Sequence, residues 1–332
     1  MATIAASPEP RLRSRWPRRF SLLLSIAILG LAAWSLIHVV EGLGPGEIGR
    51  AMQAVTPRKL WLCGLLTAAS FAALGCYDAL ALGVIAPRKV SPLRGWFCGA
   101  VANALSNTLG FHAVTATAIR YRLLHRSGLG AADAAAVTAW SWTTLAFGFA
   151  SVFSLAIMVS PGAGAGQLLA GLALVGTLLL LAGWLGPGRR VTVGAREFRF
   201  PSGAAALGQM ALGAAEMSAA IGALYVLMPA GQAGSFAGFS AVYIGAVLLG
   251  IASHAPGGIG VFEAAMLALS SSGRDRGGVL AALLLYRVLY NFVPFILAAL
   301  AFAAEEILVA VNSRAGRGRS AAPGAGTGPP AP

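Results

Sequence analysis

Long apolar runs, separated by short clusters of arginine, glycine and proline, set the pattern of this chain. Six runs are continuous: 20–40, 60–86, 131–160, 165–187, 203–229 and 278–310. Each holds about 20 or more residues with almost no charge, the length a helix needs to cross a bilayer. Two further apolar regions, 95–119 and 236–272, are interrupted by polar and glycine-rich sequence. The pattern predicts an all-α, polytopic membrane protein: about six full spans plus two broken or re-entrant helical hairpins.

Composition agrees. Of 332 residues, 57% are hydrophobic and 11% charged, against about 25% charged in a soluble domain. The net charge of +13 would suggest nucleic acid on a soluble chain. Here the basic residues sit between apolar runs, as the positive-inside rule requires, so no nucleic-acid partner is expected. Cys63, Cys76 and Cys98 lie in or beside apolar runs with neither metal nor redox-pair spacing.

Charge also sets the topology. Arg11, Arg13, Arg15, Arg18 and Arg19 precede the run 20–40, which is longer than a signal-peptide core and reads as the first span. With the N-terminus in the cytoplasm, the second span delivers Arg88, Lys89 and Arg94 to the same side. If 95–119 enters, turns and leaves on that side, Arg120, Arg122 and Arg126 also stay cytoplasmic. If 236–272 is a hairpin entered from outside, Arg314, Arg317 and Arg319 end in the cytoplasm. Parity alone equally allows 236–272 to be two full spans. In the hairpin scheme eighteen of the 24 basic residues are cytoplasmic and five are outside. The expected organisation is a basic segment at 1–19, one membrane domain at 20–310, and a disordered cytoplasmic tail at 311–332.

The two breaks, SNTLGFHAVTATAIR from 106 and SHAPGGIGVFEAA from 253, carry the candidate chemistry. Asn107, Gly110 and His112 mark the first turn; His254, Gly257, Gly258 and Gly260 mark the second. Irregular backbone at membrane depth survives only where protein or water surrounds it, so both breaks should line a cavity. Half-helix N-termini would present unpaired N–H groups there to an anion such as a lipid phosphate.

Ionisable residues within spans are the second clue, because such groups usually face the interior. They are Asp78, Glu216, Glu263 and Arg287. Arg287 and Asn291 are four residues apart; Arg287 pairs with Glu263 or Glu216, or grips a phosphate. Arg120 and Arg122 close the first break, as anchors or as headgroup ligands. Asp133 reads as a helix N-terminal stabiliser, and Glu41, Glu47, Glu197, Glu305 and Glu306 as solvated. No GxSxG, HExxH or Walker sequence occurs, so no catalytic, metal or cofactor site is expected.

SNTLGFHAVTATAIRYRLLHRSGLG (106–130) and SHAPGGIGVFEAAML (253–267) resemble motifs of the lysylphosphatidylglycerol synthase transmembrane family. The resemblance implies a flippase-like domain that moves an anionic or aminoacylated phospholipid between leaflets of a bacterial inner membrane. Full-length relatives add a soluble domain that aminoacylates phosphatidylglycerol from charged tRNA. The 332 residues leave no room for it, so that transfer is not expected. Two other readings stay open: a membrane-embedded transferase with Glu263 or His254 as acid or base, and a non-catalytic partner of a separate lipid-modifying enzyme. Oligomeric state has no signal in the sequence.

Overall fold

A computed structural model describes residues 55–160, 162–184, 190–193, 196–199, 203–253, 258, 260–269 and 276–320. The predicted first span at 20–40 and the basic segment before it lie outside the described residues. The fold is helical. Helix α1 (Pro57–Ile85) is followed by α2 (Pro92–Leu109), α3 (His112–Leu124), α4 (Ala131–Val159) and α5 (Ala165–Trp184). Then come α6 (Gly203–Leu227), α7 (Phe236–Ala252), α8 (Val261–Leu269), α9 (Arg276–Tyr286), a π-helical segment (Arg287–Phe292) and α10 (Val293–Ser320).

One departure from the all-α expectation lies between α5 and α6. Strands β1 (Arg190–Val193) and β2 (Arg196–Arg199) form a small antiparallel hairpin, Arg190 opposite Arg199. The last helix also runs on to Ser320, into the segment expected to be a tail.

Four described helices are long and apolar enough to cross a membrane: Pro57–Ile85, Ala131–Val159, Gly203–Leu227 and the continuous run Gly277–Val311. The 29 residues of α1 reach about 43 Å at 1.5 Å per residue, enough to span with tilt. The predicted span 165–187 appears as a helix whose apolar part, Ala165–Leu181, is shorter.

Local sequence explains the helix ends. Ser91 caps α2, accepting from the Arg94 N–H at 3.3 Å, with Pro92 at the first position. Asp133 accepts from the Gly130 N–H at 2.8 Å, so its structural role holds. The helix α2 stops because Gly110 takes φ 77°, ψ −175°, a conformation open essentially to glycine alone. Phe111 follows in the left-handed region at φ 45°, ψ 45°, which is costly for a bulky residue. In the second break Gly258 and Gly260 take φ values of 64° and 81°.

Helices α2 and α3 fold back on each other. The Arg94 guanidinium, in the first turn of α2, donates to the Leu123 carbonyl near the end of α3 at 2.8 Å. Both ends of this hairpin therefore lie at one level. The same level holds α10, through ion pairs of Arg94 with Glu305 and Arg122 with Glu306. These two carboxylates are mostly buried and paired, not solvated as expected. At the opposite end, the Lys59 ammonium donates to the Met228 carbonyl at 2.8 Å, joining the start of α1 to the end of α6.

Without a hydrophobic force between helices in lipid, close contact depends on small residues. A methyl group on Gly213 would meet the Thr144 carbonyl at 2.5 Å, so α4 and α6 cross backbone to backbone. A methyl group on Gly99 would meet the Asp78 Cβ at 2.8 Å, so α1 and α2 do likewise. Two large core clusters result among the described residues. One gathers Ile221, Leu224, Ile244, Met266 and Leu283 around the second break; the other gathers Leu105, Ile119, Leu123, Phe295 and Phe302 around the first.

The hairpin has a direct topological consequence. In a background lacking the native cysteines, Lys89→Cys and Arg126→Cys should react with a membrane-impermeant maleimide from the same side of the membrane. Labelling from opposite sides would remove the α2–α3 hairpin.

Candidate functional site: a cavity between two broken helices

The two breaks meet. A cavity of about 440 Å³ is lined by Asn107, Gly110 and His112 from the first break, Gly258 and Glu263 from the second, and Arg287 and Asn291 from the π segment. Its walls are otherwise largely apolar and aromatic, including Trp142, Phe149, Tyr243, Phe262, Tyr286 and Tyr290. The expectation that both breaks face one cavity thus describes where the structure puts them.

The π segment has an identifiable cause. Pro294 has no N–H to donate, and its ring would crowd the Tyr290 carbonyl in a regular helix. The wider turn relieves that conflict, with the Val293 N–H reaching back five residues to Val288. Its side chains Arg287, Tyr290 and Asn291 all line the cavity. Tyr286 and Tyr290 stack with ring centres 4.8 Å apart, and Tyr243 meets Tyr286 hydroxyl to hydroxyl at 2.6 Å.

Glu263 is held on both oxygens. Its Oε1 accepts from Arg287 Nε at 2.7 Å, and its Oε2 accepts from the Gly260 N–H at 2.8 Å, closing the start of α8. Of the two partners foreseen for Arg287, Glu263 is the one observed. Glu216 instead accepts from Ser70 Oγ at 2.8 Å, from the Tyr290 hydroxyl at 3.3 Å and from the Tyr77 hydroxyl at 3.4 Å. It lines the cavity with no basic residue in this set.

The start of α3 is different again. Phe111 supplies no capping side chain and the first turn holds no acid, so among the described residues the N–H groups of His112 and Ala113 meet no capping carboxylate. Both residues line the cavity. The indole N–H of Trp142 donates to His112 Nδ1 at 3.1 Å. An acceptor Nδ1 leaves the ring proton on Nε2 and the imidazole neutral.

No family model matches the chain. The protein slr0712 of Synechocystis is 31% identical over 273 residues, covering 78% of this chain and 83% of its own length. The chain belongs to the family of slr0712. A second relative, the inner membrane protein YbhN of Escherichia coli, is 29% identical over 252 residues, covering 71% of this chain and 77% of YbhN. With four span-length apolar helices, the protein is a multi-pass membrane protein.

Several residues singled out in the sequence lie elsewhere. Arg120 does not reach the cavity. It is wholly buried, donating through Nε to Asp78 Oδ2 at 2.7 Å and through Nη2 to Oδ1 at 2.8 Å. Ser141 donates to the same carboxylate at 2.8 Å, and Thr138 accepts from Arg120 Nη1 at 3.1 Å. A bidentate buried pair leaves this guanidinium nothing to offer a headgroup. Arg122 is likewise buried against Glu306, away from the cavity. Gly260 stands beside the cavity but does not line it; His254 and Gly257 lie outside the described residues.

Sequence reasoning placed Glu216 in a span without making it a site residue, set Tyr286 beside Arg287 without giving it a role, and missed Trp142 and Tyr243. The signal for Glu216 was available in the second span. Ser70, Leu74 and Tyr77 recur at helical spacing and put two hydroxyls on one face.

Removing one member of a buried pair strands the other charge, at a cost of about 3–5 kcal/mol. Asp78→Ala should therefore lower the detergent-solubilised melting temperature sharply. The double variant Asp78→Leu with Arg120→Met should recover most of that loss. A double variant as unstable as the single one would show that the stranded charge is not what destabilises Asp78→Ala.

Proposed function

We propose that the protein binds the headgroup of an anionic or aminoacylated phospholipid in this cavity and moves the lipid between leaflets. The observation that carries the reading is the meeting of both breaks at one cavity of mixed apolar and polar lining. Broken helices mark the binding sites of many transport folds. A headgroup phosphate would be met at the uncapped start of α3, where backbone N–H groups and the helix dipole favour an anion.

The charge distribution favours the aminoacylated class within that reading. Arg287 is neutralised by Glu263, and Arg120 and Arg122 belong to other ion pairs. A headgroup amine complements Glu216, and aromatic faces such as those of Tyr243 and Tyr286 suit a cation. The transferase reading gains nothing from Glu263, whose two oxygens are engaged.

The setting follows from the same argument. The protein would sit in a bacterial inner membrane, as YbhN does, with both termini cytoplasmic. The resemblance to the lysylphosphatidylglycerol synthase transmembrane family supplies the lipid class, and a separate lipid-modifying enzyme is a fitting partner.

Reconstitution in liposomes tests this. The wild type should accelerate the flipping of labelled phosphatidylglycerol or its aminoacylated derivative over protein-free vesicles. Arg287→Ala should slow it by about tenfold or more, because it strands the Glu263 carboxylate at the cavity and loosens the start of α8 that Glu263 closes. No acceleration by the wild type for either lipid class would refute the proposal.

A further inference from the structure

We infer that Glu216 is a proton-binding site, and that a proton there exchanges for the cationic group of the ligand during transport. The inference rests on the cavity being the ligand site. It adds what the ligand is exchanged against.

The first observation is a contrast among carboxylates. Asp78 pairs with Arg120, Glu263 with Arg287, Glu305 with Arg94 and Glu306 with Arg122. Glu216, in the middle of α6 and 3% exposed, is hydrogen-bonded only to hydroxyls among the described residues. A carboxylate without a counterion in a low-dielectric interior is costly, and protonation removes that cost. Neutralisation can come from a proton or from a cation placed in the cavity, but not usefully from both.

The second observation is that the surrounding hydrogen bonds suit both states. Ser70 Oγ and the Tyr290 hydroxyl are 2.7 Å apart, and either can donate to the other. With Glu216 ionised, both hydroxyls can aim at it. With Glu216 protonated, its own O–H donates to one of them, which then rotates to donate onward. Hydroxyl rotors permit this without movement of the carbon skeleton.

The other groups facing Glu216 do not compete for the proton. Tyr77 on α1, Tyr243 on α7, Tyr286 on α9 and Tyr290 on the π segment are phenols, protonated near neutral pH. The α4 wall contributes Leu145 and Phe149, which do not titrate. Glu263 and Arg287 satisfy each other, and the Trp142 indole holds His112 as a neutral imidazole across the cavity.

Two measurements on the full chain test the inference. Infrared difference spectroscopy of the protein in nanodiscs should show a protonated-carboxyl band that titrates in the wild type. The band should vanish in Glu216→Gln and persist, shifted, in Glu216→Asp, which guards against a folding defect. This arm needs no lipid transport. In proteoliposomes of phosphatidylglycerol with labelled lysylphosphatidylglycerol, a one-unit pH difference should concentrate the labelled lipid in the leaflet on the acidic side. For one proton exchanged per lipid, the leaflet ratio should approach about ten to one, and one to one for Glu216→Gln.

A missing carboxyl band overturns the proton site even if the lipid flips. A titrating band with flipping indifferent to the pH difference overturns the exchange while leaving the lipid reading intact. Sodium-driven accumulation in place of a proton effect also overturns it.

Discussion

The buried pair between Asp78 and Arg120 is the constraint on which the first broken helix depends. Taking both charges out of water is expensive, and the cost is offset only by bidentate geometry with every remaining lone pair and N–H satisfied. Beyond the bidentate contact, Ser141 on α4 donates to the carboxylate and Thr138 on α4 accepts from the guanidinium. One ion pair thus ties α1, α3 and α4 together. Gly99 permits it, because any side chain there would collide with Asp78. With α3 fixed, its uncapped start has one place to be, which is the cavity wall. The neutral Trp142–His112 contact completes that wall.

The same logic of charge satisfaction organises the rest of the bundle. Arg94 and Arg122 gather the two ends of the α2–α3 hairpin onto Glu305 and Glu306 of α10. Glu263 closes the start of α8 and holds Arg287. Pro294 forces the π turn that turns Arg287, Tyr290 and Asn291 toward the cavity. Because each of these ions is matched, what remains at the cavity among the described residues is the start of α3, where the helix dipole favours an anion, and the carboxyl group of Glu216. On the proposed reading, such a site fits a headgroup that carries both charges better than one that carries a single negative charge.

Much of this layout was legible in the chain. Glycine and proline punctuation located both breaks within a residue or two, because backbone with positive φ is a local property. Asp133 was legible for the same reason. The Glu263–Arg287 pair was one of two foreseen, since two intramembrane charges of opposite sign demand each other. The partner of Arg120 was not legible. Asp78 lies 42 residues earlier on another helix, and only the hairpin's fold-back brings the two to one depth. Arg120 read as a headgroup ligand because its flanking sequence is that of a span end. Glu305 and Glu306 read as solvated for the same reason, although tertiary packing covers them.

The central claim is that both breaks line one headgroup site. A phospholipid carrying a photoreactive group on its headgroup amine, activated in the intact proteoliposome and mapped by mass spectrometry, addresses it directly. The account predicts labelled peptides from both breaks, one containing Phe111 and one containing Phe262, which line the same cavity. Labelling confined to outward-facing positions such as Trp61 and Leu308, which are 76% and 63% exposed, would contradict it.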